Sequence, residues 1–276
     1  MKKAMIGYQM YSAREEAAAD LKGVLKKLAA MGYDGVEFAG LFDNSPEKVK
    51  AICDENGLVP ISAHVSYDEI AADPEKVISD YAKIGCKYIA IPYAVEERRP
   101  GGELFDETVE GIRNFAAIGK KYGITMLYHN HDFEFEKLNG EYLLDLLYKA
   151  LSADELQTEL DTCWVNYGGE DPAAYLRKYA GRAPVVHIKD FVAKSRGAKV
   201  YDLIGIDDGA QELADGEKDF SYMPVGYGVQ DMPAIVEACK DAGSEWLIIE
   251  QDDPSMGKTP LECIKLSIDY LKTINK

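Results

Sequence analysis

All four histidines of this chain, His64, His129, His131 and His187, fall at the downstream ends of short apolar runs. Two further runs end on carboxylates, Asp161 and Glu250. Imidazole nitrogens and carboxylate oxygens are the natural ligands of a borderline divalent cation. They are also the side chains that carry protons near neutral pH. Groups so far apart in sequence act together only if the fold gathers the ends of those runs in one place.

The elements that must do this follow a repeating pattern: amphipathic helix, glycine, a few residues, then an apolar strand. The glycines are Gly32, Gly57, Gly85, Gly123 and Gly243, placed where a left-handed residue lets the chain leave a helix. Strands are expected at 5–10, 36–38, 61–64, 88–91, 125–129, 156–161, 184–189 and 246–250. Helices are expected at 14–31, 45–56, 74–84, 105–122, 140–151, 171–180, 231–242 and 259–273. Ser45-Pro46 and Asp171-Pro172 are strong helix starts, a capping side chain followed by proline in the first turn. Strict alternation implies parallel strands with right-handed crossovers. Eight such units make a closed (β/α)8 TIM barrel whose strand ends open on one face. A doubly wound open sheet usually places a glycine-rich loop after its first strand. Here that strand runs into Tyr8-Gln9-Met10-Tyr11-Ser12-Ala13-Arg14, without one.

No linker or low-complexity tract divides residues 1–276, which read as a single domain. One connection is long: residues 191–230, between the seventh strand and its helix, an arrangement suited to a lid or a subunit contact. That contact leaves a homodimer as the oligomer to consider.

Composition narrows the partners. The formal charge is −17, from 48 acidic and 31 basic side chains, so a nucleic-acid backbone would be repelled. Five dispersed cysteines form no Cys-x-x-Cys pair, which points to reduced thiols rather than a zinc ribbon or a redox dithiol. Cys163, beside Asp161, reads as a packed thiol. The first residues lack the long apolar stretch and cleavage site of a signal peptide, so none is expected, and no run of ~18 apolar residues is present to span a bilayer. The chain reads as soluble and cytoplasmic, with no membrane partner.

Strand parity tests which side chains share the barrel interior. Gln157, Glu159 and Asp161 lie on one face, with Leu156 and Leu160 on the other. His187 and Lys189 share the face of Val185, Glu250 that of Ile248, and His129 and His131 that of Leu127. His129, Asp161, His187 and Glu250 therefore end the fifth to eighth strands and point inward together. Two imidazoles with two carboxylates suit Mn2+, Co2+ or Zn2+, with Mg2+ a further candidate.

The segments Gly32-Tyr33-Asp34-Gly35-Val36-Glu37, Ser62-Ala63-His64, Tyr128-His129-Asn130-His131-Asp132-Phe133-Glu134, Glu159-Leu160-Asp161-Thr162, Val186-His187-Ile188-Lys189-Asp190, Pro224-Val225-Gly226-Tyr227-Gly228 and Ile249-Glu250 carry a resemblance over essentially the whole chain. It resembles the sugar phosphate isomerase/epimerase family with the xylose isomerase-like TIM barrel. The resemblance implies one divalent metal ion, commonly manganese, held by Asp161, His187 and Glu250 with His129 at the fifth strand. The epimerases of that group usually carry a glutamate there, so their two-glutamate arrangement is not met by this chain.

The resemblance further implies a carbohydrate substrate and proton abstraction next to a carbonyl, through a metal-stabilised enediolate. Glu250 would be the base, and His131 or Glu159 the second proton carrier. Lys189 would stabilise enolate charge or form an outward ion pair. Glu37 and His64 would contact substrate hydroxyls, with a structural hydrogen bond the other reading of Glu37. Trp164 and Tyr93 would stack on a sugar ring or pack the rim. Isomerisation or epimerisation is the first expectation. A keto-sugar or inosose dehydratase, or a keto-glycoside lyase, on the same site is the alternative. A non-catalytic sugar-binding barrel is the third.

Overall fold

Eight parallel strands close on themselves in chain order: β1 (Met5–Gln9), β2 (Gly35–Ala39), β3 (Val59–His64), β4 (Tyr88–Ile91), β5 (Thr125–His129), β6 (Gln157–Asp161), β7 (Val185–Ile188) and β8 (Trp246–Ile249). The last pairs with the first, Met5 opposite Trp246, so no strand edge is left exposed. This computed structural model describes residues 3–194 and 219–276. No described helix is long and apolar enough to cross a membrane.

The outer helices begin and end as the residue pattern dictates. The Ser45 hydroxyl accepts the Lys48 N–H ahead of helix Pro46–Asn56. Thr259 and Glu262 form a reciprocal capping box on Pro260–Ile274. The five helix-terminating glycines all take positive φ, from +67° at Gly57 to +108° at Gly85. The apolar faces of these helices and the outward faces of the strands merge into one core.

Inside the barrel the lower half is a separate apolar plug: Ile61, Leu127, Val185, Trp246 and Ile248, with Tyr88 and Ala90. Its tightness rests on two glycines. A Cβ on Gly7 would lie 2.4 Å from Ile61 Cδ1, and one on Gly35 would lie 2.5 Å from the Val59 carbonyl oxygen. Above the plug, the same inward-facing positions become polar.

The loops differ from expectation in three places. The helix expected from residue 140 begins at Leu143, because Lys137–Leu138 and Glu141–Tyr142 pair as a short antiparallel hairpin. Asn139 (φ 53°) and Gly140 (φ 89°) form its turn, as an Asn-Gly pair does in a two-residue hairpin loop. A second ribbon pairs Asp190–Ala193 with Phe220–Met223. It lies inside the 191–230 connection, whose residues 195–218 fall outside the described residues. Extra short helices occupy Tyr67–Ala72 and Thr162–Tyr167.

Candidate metal and substrate site

The polar upper half of the barrel opens into a cavity of about 360 Å³, within the size range of small-molecule sites. Its polar wall is His64, His129, His131, Lys189, Glu250 and Asp252, with Tyr11, Ala39, Pro92 and Tyr93 completing it.

The strand ladder pairs Asp161 with His187 and His129 with Glu159. Strand tilt then brings alternate inward side chains from neighbouring strands into layers. In the upper layer, ligand atoms of His129, Asp161, His187 and Glu250 all lie within 4.8 Å of one another. A lower layer joins His64, His129, Glu159 and His187 under the same limit. His187 links the two: Nδ1 is 2.8 Å from Glu250 Oε2, and Nε2 is 2.7 Å from Glu37 Oε1.

The atoms of the upper set have the character of metal ligands. Asp161 Oδ1 accepts the N–H groups of Cys163 and Trp164 and so caps the helix that follows. Its Oδ2 is buried without a hydrogen bond, 3.4 Å from the Lys189 ammonium. His129 is 2 % exposed; its Nε2 lies 3.8 Å from Asp161 Oδ2 of this set, while its Nδ1, without a hydrogen-bond partner, lies 3.3 Å from Glu159 Oε2 of the lower one. Burial, reinforced by His187 and His64, holds the His129 pKa well below its usual value, so the ring is neutral and its lone pair free. A buried, unsatisfied carboxylate oxygen facing two imidazoles and a second carboxylate within 4.8 Å fits a divalent cation.

Charge is arranged unevenly around this space. Burial alone would raise Glu250, but the Lys189 ammonium and His187 overrule it and keep the carboxylate ionised. Lys189 is 2 % exposed, with Nζ 2.8 Å from Glu250 Oε2 and 3.0 Å from Asp252 Oδ2. Those carboxylates outweigh burial and keep the ammonium protonated. The inward ion pair therefore replaces the outward one. Asp252 is raised, by burial first and by the charge of Glu250, against the pull of Lys189. Below, Glu37 and Glu159 flank His64. Burial and the Glu37 charge push Glu159 up, while His64 and His187 overcome burial to hold Glu37 down.

His64, His131 and Tyr93 stand in the cavity wall where a substrate would meet them. His131 is neutral, brought down to about 3 by burial and by Lys189, and its Nδ1 lacks a partner. It stacks on Phe133 and meets the edge of Tyr93.

Three expected site residues sit elsewhere. Glu37 is fully buried below the cavity, where it accepts from Gln9 Nε2, Ser62 Oγ and His187, which corrects its expected contact with substrate. Glu159 is likewise 0 % exposed and bonds His64, away from where a second proton carrier would reach substrate. Trp164 is buried between His131 and Phe220, under the Lys189 ammonium, and offers no open face to a sugar. The helix capped by Asp161 turns it inward.

Asp252, Gln9 and Ser62 escaped the strand-end reading. Asp252 has the parity of Glu250 but lies beyond the strand. Gln9 and Ser62 are polar residues at inward positions, a signal that could have marked them.

Residues 25–274 match the family described as the xylose isomerase-like TIM barrel. The inosose dehydratase of Mesomycoplasma hyopneumoniae (strain 7448) is 24% identical over 275 residues, spanning 91% of this chain and 87% of its own. A sugar phosphate isomerase/epimerase from Parabacteroides distasonis superposes with a TM-score of 0.77 at 21% identity, covering 100% of this chain and 96% of that one. The IolI protein, solved with a zinc atom, gives 0.73 at 17% identity over 98% and 99%. At these identities the two solved structures establish the shared shape alone. With the family match running over nine-tenths of a closed eight-stranded barrel, this chain belongs to the xylose isomerase-like TIM-barrel family.

Proposed function

We propose that this chain is a divalent-metal-dependent carbohydrate enzyme that moves a proton on the carbon next to a ketone, as a sugar isomerase or epimerase. The observation that carries the reading is the Glu250–Lys189 pair in the cavity wall: an ionised carboxylate held 2.8 Å from a buried ammonium. A carboxylate so placed can take the α-proton, and a neighbouring cation favours the negative charge that then develops on the substrate oxygen.

His129, Asp161, His187 and Glu250 would hold the metal, with manganese the first choice. The zinc in the IolI protein supports a divalent ion on this scaffold. The ion would supply Lewis acidity toward the substrate carbonyl. Glu250 serves as base. His131, neutral and with an unbonded ring nitrogen, takes up the abstracted proton and delivers it to the enediolate, returning to its neutral form. His64 and Tyr93 orient the sugar, and Lys189 faces the enolate oxygen. Glu37 and Glu159 support from below.

A dehydratase acting on a cyclic keto-polyol is the second reading, favoured by the chain-long similarity to inosose dehydratases. Both readings share the first proton transfer. For the second, Asp252, raised to about 7 by burial against the pull of Lys189, would protonate a leaving hydroxyl.

Incubation of the Mn2+-loaded protein with ketohexoses and with inososes in D2O tests both. Deuterium at the α-carbon of recovered sugar supports isomerisation or epimerisation. An unsaturated ketone absorbing in the ultraviolet supports dehydration. Absence of both across the panel rejects proton-transfer chemistry and leaves a sugar-binding barrel.

A further inference from the structure

The two ligand sets overlap at His129 and His187, and one ion cannot satisfy both. His187 offers opposite nitrogens to them. Its Nδ1 faces the upper set, 2.8 Å from Glu250 Oε2, while Nε2 lies 3.4 Å from Glu159 Oε2 of the lower set. Once a metal displaces one proton, the imidazole ligates through that nitrogen and keeps its proton on the other. Whatever holds that proton decides which layer receives the ion.

Glu37 occupies that position. Its Oε1 is 2.7 Å from His187 Nε2, much closer than Glu159. The same carboxylate is fixed from two other strands, accepting from Gln9 Nε2 at 2.6 Å and from Ser62 Oγ. With no exposure to water, it has no competing solvent partner. Each set holds one imidazole–carboxylate contact of its own, His187 Nδ1–Glu250 Oε2 at 2.8 Å above and His64 Nε2–Glu159 Oε2 at 2.6 Å below, so the Glu37 contact is what distinguishes them.

We propose that Glu37 is a positioning residue that selects the upper ligand set. By keeping the His187 proton on Nε2 it turns Nδ1 toward Asp161 and Glu250, and it denies the lower set its third imidazole. Carboxylates that hold the far nitrogen of a metal-bound histidine fix its tautomer and contribute strongly to affinity. Here the same contact also chooses between two sites. This inference rests on the metal reading above.

The chain has only four histidines, so nitrogen-15 NMR of histidine-labelled, Zn2+-loaded protein can assign every ring. In the unsubstituted protein, His187 should show a metal-bound Nδ1 and a protonated Nε2, and His64 no metal-bound nitrogen. Glu37→Gln, which keeps the shape but weakens the acceptor, should lower Zn2+ affinity by about 10- to 100-fold and shift the His187 Nε2–H resonance. Glu37→Ala should give mixed His187 tautomers and metal-bound signal at His64. Circular dichroism checks that each variant folds, and the Gln variant carries the test if the Ala variant does not. A metal-bound His187 Nε2 or His64 in the unsubstituted protein overturns the inference alone. So does a Gln variant whose affinity stays within about twofold, well under the loss expected of such a contact. A protein that takes up no Zn2+ overturns the metal reading, and this inference with it.

Discussion

Lys189 Nζ lies 2.8 Å from Glu250 Oε2, and both side chains are nearly removed from water although they end neighbouring strands at an open cavity. The ammonium also rests over the rings of Trp164 and Tyr222, so its position is set by aromatic packing as well as charge. Losing it would leave Asp161, Glu250 and Asp252 around an uncompensated void. Lys189→Met is expected to destabilise the fold by about 3–5 kcal/mol, the usual cost of stranding buried charge. Urea unfolding at neutral pH measures it, and a loss under about 1 kcal/mol, typical of an exposed pair, would contradict the burial described.

Glu250→Gln tests the roles of that carboxylate together. The amide retains bulk but can neither take a proton nor balance Lys189. Turnover in the D2O assay should fall by about 10²–10⁴-fold, the range for removal of a positioned base. Turnover within tenfold of the parent would move the base elsewhere in the wall.

Removal of metal should reach stability as well as activity. The upper set converges buried groups, including Asp161 Oδ2, which lacks a hydrogen-bond partner of its own. An ion bound only by the native state adds roughly 2.7 kcal/mol at a hundredfold excess over its Kd. Thermal unfolding with Mn2+ or Zn2+ should therefore occur well above the transition in chelator, and Asp161→Asn should shrink that gap. Superimposable transitions would show that no ion binds.

Much of this was readable from residue order. Helix, glycine and apolar strand recur in this chain often enough to require a parallel barrel. Parity within single strands brings His129, Asp161, His187 and Glu250 to one face. What lay beyond reach depends on how neighbouring strands are staggered. Whether Glu37 meets substrate or His187 is decided by the register of β2 against distant β7, which no single strand records. Trp164 was misplaced because its direction depends on the helix that Asp161 caps. The Asn139-Gly140 turn has a sequence signal of its own, but the helix expected from residue 140 overran it.

Glu134 gives a pH signature away from the ligand atoms. It is buried, its carboxylate accepts from the Tyr128 hydroxyl and the His131 backbone N–H, and burial pushes its pKa up to about 7. The ordinary value is 4.5, so between those limits the native state holds a proton that the unfolded chain has released. Stability is then greatest below the lower limit and falls as pH rises toward the upper one. The integrated loss is on the order of 3 kcal/mol. Glu134→Gln should remove that share of the slope. Across pH 4.5 to 7.5 in chelator, the parent's urea midpoint should fall relative to the variant's as pH rises. Parallel curves would mean that Glu134 is ionised throughout.

The plug under the site predicts an asymmetry between two glycines. An alanine Cβ at position 7 clashes with side-chain tips, Ile61 Cδ1 at 2.4 Å and Ile248 Cδ1 at 2.5 Å, and its nearest backbone atom, the Gly35 carbonyl oxygen, is at an ordinary 3.7 Å. At position 35 it meets the Val59 carbonyl oxygen at 2.5 Å as well as Ile61 Cγ1 at 2.8 Å. Isoleucine tips can rotate at some cost in packing, but a carbonyl moves only with its strand, and Gly35 is paired with Val59 in the β2–β3 ladder. Overpacking of this kind costs typically about 1–3 kcal/mol. Gly7→Ala is expected near the lower end and Gly35→Ala at the upper end or beyond. Because β2 carries Glu37 two residues further on, Gly35→Ala should also weaken metal binding, which Gly7→Ala should affect less. Titration with Zn2+ alongside urea unfolding of both variants checks the pairing of the two effects, and equal penalties at the two positions would refute it.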